Sequence, residues 1–259
     1  MSIDWNAINR ALSPIKDYDD LCRRLRGSFA YPFVRETYNF PLRDLINYTH
    51  QLLGGDARGR YTEYESMLVG TISELQKAGV HNLEDLINRI TTPEKLEFFS
   101  EQSHVDALDT AAALKYLVYW LIPMEKYLSG LIREDSSMLE AIRILRGYGV
   151  RTNLELLQQG ITRAGRKALA DSSELPEVIV TELVNRADFS RLPWASKATI
   201  SNIIGAGYPS LAQLASADPD QLYADYFRYG KMIGKNLKLG NEIENSYRIA
   251  KILPPVLKE

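Results

Sequence analysis

The chain has 259 residues, 45% of them hydrophobic and 25% charged, which is enough apolar side chain for one large core or two smaller ones. Its net charge of −2, from 31 basic and 33 acidic residues, excludes the basic balance of a dedicated nucleic-acid coat protein. The single cysteine, Cys22, excludes an intrachain disulfide and fits a reducing compartment.

Charge is unevenly spread. Residues 1–140 carry 15 Lys/Arg against 21 Asp/Glu, a net −6, and residues 141–259 carry 16 against 12, a net +4. Such asymmetry can steer a partner onto one end. The N-terminal run MSIDWNAINRALSPIKDYDD lacks an apolar signal core, so a cytoplasmic location is expected.

In chain order, residues 3–27 read as two short helices broken at Ser13-Pro14. Residues 27–41, GSFAYPFVRETYNFP, carry Phe29, Tyr31, Phe33, Tyr38 and Phe40 and read as an ordered aromatic loop or short extended segment. These rings either plug the core of the N-terminal half or form a docking surface. Pro41 opens a helix to about Leu53, Gly54-Gly55-Asp56 break it, and a helix follows from Arg60 to Ala78. Shorter helices are expected at 82–90 and 93–101, then a long one over 104–131 kinked at Pro123. Its apolar stretch Leu114–Met124 is too short to span a bilayer and reads as a buried helix, with peripheral membrane contact the minor alternative. Helices recur at 137–148, 153–159, 163–171, 175–186, 197–205, 209–216, 219–228 and 241–252. No alternating apolar run is long enough for a strand.

Three segments align: TISELQKAGVHNLEDL (71–86), AIRILRGYGVRTNLELL (141–157) and TISNIIGAGYPSLAQL (199–214). Each has an apolar residue seven and four places before a glycine, on one helix face: Ile72 and Leu75, Ile142 and Leu145, Ile200 and Ile203. Gly79, Gly149 and Gly207 would let the chain leave a helix through a left-handed turn. Val80, Val150 or Tyr208 follows, then Asn82, Thr152 or Ser210 as cap of the next helix. Aligning Leu83 with Leu154 and Leu211 gives the second loop one extra residue. The expected fold is therefore all-α, a helical array of repeated helix-hairpin-helix-like units without significant β-sheet. It divides into an N-terminal helical domain, 1–135, with one degenerate unit, and a C-terminal domain, 136–259.

Residues 187–223 carry Leu192-Pro193, Ala206-Gly207-Tyr208, Ser210-Leu211 and Leu214-Ala215-Ser216-Ala217-Asp218-Pro219. In these features the stretch resembles the helix-hairpin-helix class. From Leu154 to Pro254, the runs Thr162–Ala170 (TRAGRKALA) and Val184–Phe189 (VNRADF) make the chain similar to the domain of unknown function 4332 family, with Arg163 where that family usually has proline. The resemblance implies an all-α fold and carries over no activity and no catalytic residue.

In DNA-binding members of the helix-hairpin-helix class, a Gly-x-Gly turn offers backbone N–H groups at a helix N-terminus to a phosphate. The aligned positions here are Ser66-Met67-Leu68, Ser136-Ser137-Met138 and Trp194-Ala195-Ser196, without either glycine. Ser137 and Glu140 instead have the spacing of a capping box. Phosphate contact through the hairpins is disfavoured. Sequence-independent nucleic-acid binding by charge remains the alternative, through Arg143, Arg146, Arg151, Arg163, Arg166 and Lys167, and through Lys231, Lys235 and Lys238 beside Tyr226, Phe227 and Tyr229. Solvated helix faces explain the same charges.

His50, His81 and His104 have no partner at metal-ligand spacing, and no phosphate-loop, nucleophile-elbow or HExxH pattern occurs. Arg23 and Arg24 could lower the Cys22 thiol pKa, but no histidine lies near it in sequence. The expectation is a non-enzyme without cofactor or metal: an interaction or scaffold protein that docks a protein partner, with Phe29, Tyr31, Phe33, Tyr38 and Trp194 as candidate contacts.

Overall fold

The computed structural model describes residues 3–54, 59–133, 135–237 and 239–258. Among them are sixteen α-helices and no strand; the extended pairings are isolated bridges. The chain divides into two compact units, Met1–Met124 and Glu125–Glu259. The division falls ahead of the expected 135/136 boundary because residues 126–128 are tied by backbone hydrogen bonds to 151–153.

Unit 1 contains α1 (Trp5–Leu12), α2 (Tyr18–Phe29), α3 (Pro32–Tyr38), α4 (Leu42–Leu53), α5 (Thr62–Lys77), α6 (Leu83–Arg89), α7 (Pro93–Ser103) and α8 (Ala107–Tyr116). Most starts are local. Asp4, Asp17, Asn82, Thr92 and Asp106 each accept a backbone N–H of the first turn, and Pro32 and Pro93 occupy the first helical position, where no donor is lost. The aromatic stretch thus closes α2 and forms α3 rather than a loop, and Phe29, Phe33 and Tyr38 are buried. The expected long helix over 104–131 does not form. After α8 comes a π-helical turn, Leu117–Leu121, and Ile122 is extended because Pro123 disfavours a helical residue before it. The Ser28 hydroxyl of α2 donates to the Pro123 carbonyl at 2.8 Å. The apolar stretch Leu114–Ile122 is core apart from Lys115 and Tyr119. No helix among the described residues is long and apolar enough to cross a membrane.

Unit 2 begins with a short 3-10 turn, Leu128–Leu131. It continues with α9 (Ser136–Gly147), α10 (Asn153–Gly160), α11 (Arg163–Ser173), α12 (Glu177–Phe189), α13 (Lys197–Gly205), α14 (Leu211–Ser216), α15 (Pro219–Met232) and α16 (Asn245–Ala250). Asp135, not Ser137, caps α9: it accepts the Met138 N–H at 3.0 Å, and Ser137 donates to it. Glu140 instead pairs with Arg143.

The three glycine turns share one geometry. Gly79, Gly149 and Gly207 have φ of +80°, +80° and +103°. Each glycine N–H bonds three residues back, to Gln76, Arg146 or Ile204, and the next N–H bonds five back, to Leu75, Leu145 or Ile203, at 3.0–3.3 Å. That double bond is the Schellman ending, which satisfies carbonyls that the helix leaves open. Three residues after each glycine, Asn82, Thr152 or Ser210 caps the following helix. The loops are therefore equal in length. The second has no extra residue; Asn153 takes the position of Leu83 and Leu211.

Units 1 and 2 also match over a longer frame, at a constant offset of 70. Gly79 and Gly149 turn the chain, Asn82 and Thr152 cap, and Thr92 and Thr162 cap the next helix. Those helices end at Ser103 and Ser173, followed by left-handed His104 (φ +60°) and Glu174 (φ +56°). The core follows the same register, with Ile72 and Ile142, Leu75 and Leu145, Val80 and Val150, and Phe99 and Leu169 all buried. In each unit a preceding segment pairs with the glycine turn. Leu42 and Leu83 exchange bonds with His81 and Phe40 at 3.1 and 3.2 Å, and Leu128 and Asn153 with Arg151 and Lys126 at 3.0 and 2.9 Å.

Candidate docking site

The corner between α12 and α13 is built on a buried ion pair. Arg191 donates through Nε to Asp188 at 2.7 Å and through Nη1 to the Pro254 carbonyl at 2.9 Å, and both charged side chains are almost fully buried. The chain leaves α12 through Ser190 to Leu192, whose carbonyl accepts the Ala195 N–H at 3.2 Å. Pro193 stiffens the turn. Ser196 caps α13 by accepting the Thr199 N–H at 3.1 Å.

Trp194 stands at the tip of this corner, with φ +59° and 56% of its surface exposed. A left-handed backbone costs a non-glycine residue about 1–2 kcal/mol, and a large exposed indole adds unburied apolar surface. Both penalties fall on one residue, where strain of this kind often marks function. A cavity of about 210 Å³ lies beside it, lined by Leu192, Pro193, Thr199, Glu242, Ser246 and Ile249 among others. The exposed ring and the cavity thus lie side by side at the corner.

The other aromatic candidates lie elsewhere. Phe29, Phe33 and Tyr38 belong to the unit 1 core, so their rings offer no surface; Tyr31 is half-buried, its ring centroid 6.3 Å from that of Phe33. Phe98 is exposed too, though it is not among the sequence candidates. The signal was present: in the adjacent pair Phe98-Phe99 on one helix, only one ring can face the core.

The basic candidates do not form one set. Arg166 donates to the carbonyls of Gly160 and Ile161 at 3.0 and 3.1 Å and to that of Lys258, so it straps residue 258 to unit 2. Lys167 pairs with Asp171, Arg143 with Glu140, and Lys231 lies over the Phe227 ring at 4.5 Å. Arg146, Arg151, Arg163 and Lys235 are exposed. Lys238 lies outside the described residues.

The helix starts after the first two glycine turns already hold carboxylates. Asp85 accepts the His81 N–H at 3.0 Å, and Glu155 accepts those of Arg151 and Thr152 at 2.7 and 2.9 Å. A phosphate would meet a like charge there. Nor is there a hairpin turn in every copy: Ser66–Leu68 lie inside α5 and Ser136–Met138 form the first turn of α9.

Cys22 is buried and its thiol faces the Ile90 carbonyl at 3.5 Å. Arg23 and Arg24 pair with Asp20 instead. Burial pushes the thiol up to about 11, the reverse of the activation its neighbours suggested. His50 bonds Glu65 at 2.7 Å, and His104 ends α7. No group of three potential metal ligands occurs among the described residues.

No curated protein and no solved structure matches the chain. The match to a family model begins ahead of Leu154, taking in α9 and the Gly149 turn, and stops short of Pro254. Residues 135–237 match the family described as domain of unknown function (DUF4332), which places the Trp194 corner inside the family segment.

Proposed function

We propose that this chain is a non-catalytic helical interaction protein, built from degenerate helix-hairpin-helix-like units, that docks a protein partner through the Trp194 corner. The observation that carries the reading is the exposed tryptophan, held in a left-handed backbone on a corner fixed by a buried ion pair. Aromatic anchors of this kind concentrate binding energy at protein interfaces. The carboxylates at the helix starts and the use of Arg166, Lys167 and Arg143 in contacts within unit 2 weigh against nucleic acid.

The test compares the full chain with its Trp194→Ala variant in nuclease-treated affinity capture, followed by titration of the purified partner. Trp194→Ala is expected to weaken that partner by about tenfold or more. The Arg143→Ala/Arg146→Ala/Arg151→Ala variant is expected to bind it normally. The reading fails if no protein partner is recovered while oligonucleotides bind at physiological salt and the arginine variant abolishes that binding.

A further inference from the structure

Unit 1 holds a groove that the Trp194 reading does not use. The C-terminal ends of α5 and α6 and one face of α7 enclose a cavity of about 820 Å³. Lys77, Arg89 and Lys95 line it with Phe98, and no Asp or Glu does. Arg89 is held by Asp85 at 2.8 Å and by the Gly79 carbonyl at 3.0 Å, so its charge is largely answered. Lys95 donates to the Asn88 carbonyl at 3.2 Å and has no carboxylate partner among the described residues, and both lysines stand at the solvent edge. Phe98 is 66% exposed.

Helix α7 sorts its charges. Lys95 and Gln102, each three and four residues from Phe98 and Phe99, line this groove with both rings. Glu97 and Glu101 line a separate cavity with Asp4 and Asp106. Within the acidic half of the chain, this groove is thus basic.

Lysines and arginines near helix C-termini can serve the helix ends alone. The 70-residue register supplies the control for that explanation. Unit 2 builds the same frame with Gly147, Gln159, Gly165 and Ala168 where unit 1 has Lys77, Arg89, Lys95 and Phe98. The turn, the caps and the left-handed helix end form there without cations at these four positions; one arginine, Arg166, meets the carbonyls that end α10. One cation suffices for such helix ends, so Lys77 and Phe98, and a second cation beside Arg89, go beyond what the frame requires.

We infer that this groove binds an acidic peptide segment of a protein partner, with an apolar side chain packed on Phe98 and carboxylates beside Lys77 and Lys95. A nucleic-acid strand carries a charge at every phosphate, whereas a peptide can set carboxylates at the two lysines and uncharged residues toward the exposed Glu94 and Glu101 of the same helix. A short acidic segment satisfies two lysines and ends there. The inference extends the docking reading to a second site in a different unit, and each fails separately.

The probe is a set of labelled peptides about a dozen residues long, each with one Phe or Leu flanked by Glu and Asp. Lys/Arg counterparts and oligothymidylate of similar length are the comparison arms. Fluorescence anisotropy with the full chain should show the acidic set bound and the other two not, with affinity falling as salt rises. Lys77→Gln/Lys95→Gln and Phe98→Ala should each weaken binding about tenfold or more. Trp194→Ala should leave it unchanged, which separates this site from the other. All three side chains being exposed, thermal melting of the variants should match the parent. Charge reversal, Lys77→Glu/Lys95→Glu, should transfer preference to the Lys/Arg set. Failure of the acidic set to bind, equal binding of oligothymidylate, or full binding by the Lys77→Gln/Lys95→Gln variant overturns the inference.

Discussion

Gly149 has φ +80° and open space where a side chain would stand, so an added methyl would meet no neighbour and any penalty is backbone strain. Gly149→Ala should therefore lower stability by about 1 kcal/mol, read as the urea midpoint at unchanged slope. Gly147, two residues earlier, ends α9 with equally open space and no positive φ. Gly147→Ala should be neutral or stabilise by up to about 1 kcal/mol. Equal effects at both positions would remove the distinction. Asn153 makes a different kind of demand. It is buried, accepts the Lys126 N–H at 2.7 Å and donates to the Ser190 hydroxyl at 2.9 Å. Leu83 and Leu211 fill its place in the other copies. Asn153→Leu should restore the commoner residue yet destabilise by about 1–3 kcal/mol, because the Lys126 N–H loses its bond inside the protein. A gain in the urea midpoint would contradict this.

At the scale of the element, helix starts are set by single caps, and these can be titrated. The Met138 N–H bonded to Asp135 holds its carboxyl below the usual aspartate range; burial opposes this, and Ser137 and Arg186 add to the lowering. A lowered folded pKa means that the stabilisation is present above the unfolded value of about 3.9 and is lost as pH falls through the folded value. Asp135→Ala should cost about 1 kcal/mol near pH 7, and its deficit against the parent should shrink on acidification below about pH 4. A deficit independent of pH would mean that the carboxylate is not the cap. Caps and glycine turns were legible in the sequence because each depends on a few adjacent residues. Leu75, Gly79, Val80 and Asn82 specify one turn among themselves. The end of the helix at Leu121 was not, since Pro123 permits a kink or a stop, and its carbonyl is met by Ser28 from far along the chain. The aromatic stretch 28–40 does not show its helix in sequence because the one that Pro32 starts has only seven residues, too short for its period to show. The 70-residue register is legible from Ile72 and Ile142 to Gly79 and Gly149 and lost beyond the turn, where Asn153 replaces a leucine and surface side chains such as Lys95 and Gly165 diverge, so that caps, positive φ and burial alone keep it.

At the scale of the whole molecule, the all-α class follows from the apolar periodicity, and the structure agrees among the described residues. Surface against core could not be read the same way. Phe33 and Trp194 both stand beside a proline, yet one is buried and the other exposed, a choice made by packing rather than by neighbours in sequence. Within unit 2, Arg191 joins α12 to residue 254. Arg191→Ala would leave Asp188 charged and buried, and should destabilise by about 3–5 kcal/mol. Amide hydrogen exchange should then rise first over residues 253–258; unchanged protection there would refute the strapping role. Protein docking is most directly tested by photo-crosslinking from position 197. Lys197 is exposed, three residues from Trp194, and would carry a photo-reactive replacement. A discrete adduct that survives nuclease, yields to protease and disappears with Trp194→Ala is the predicted result. An adduct that nuclease removes, or one that forms equally well without the indole, would contradict it.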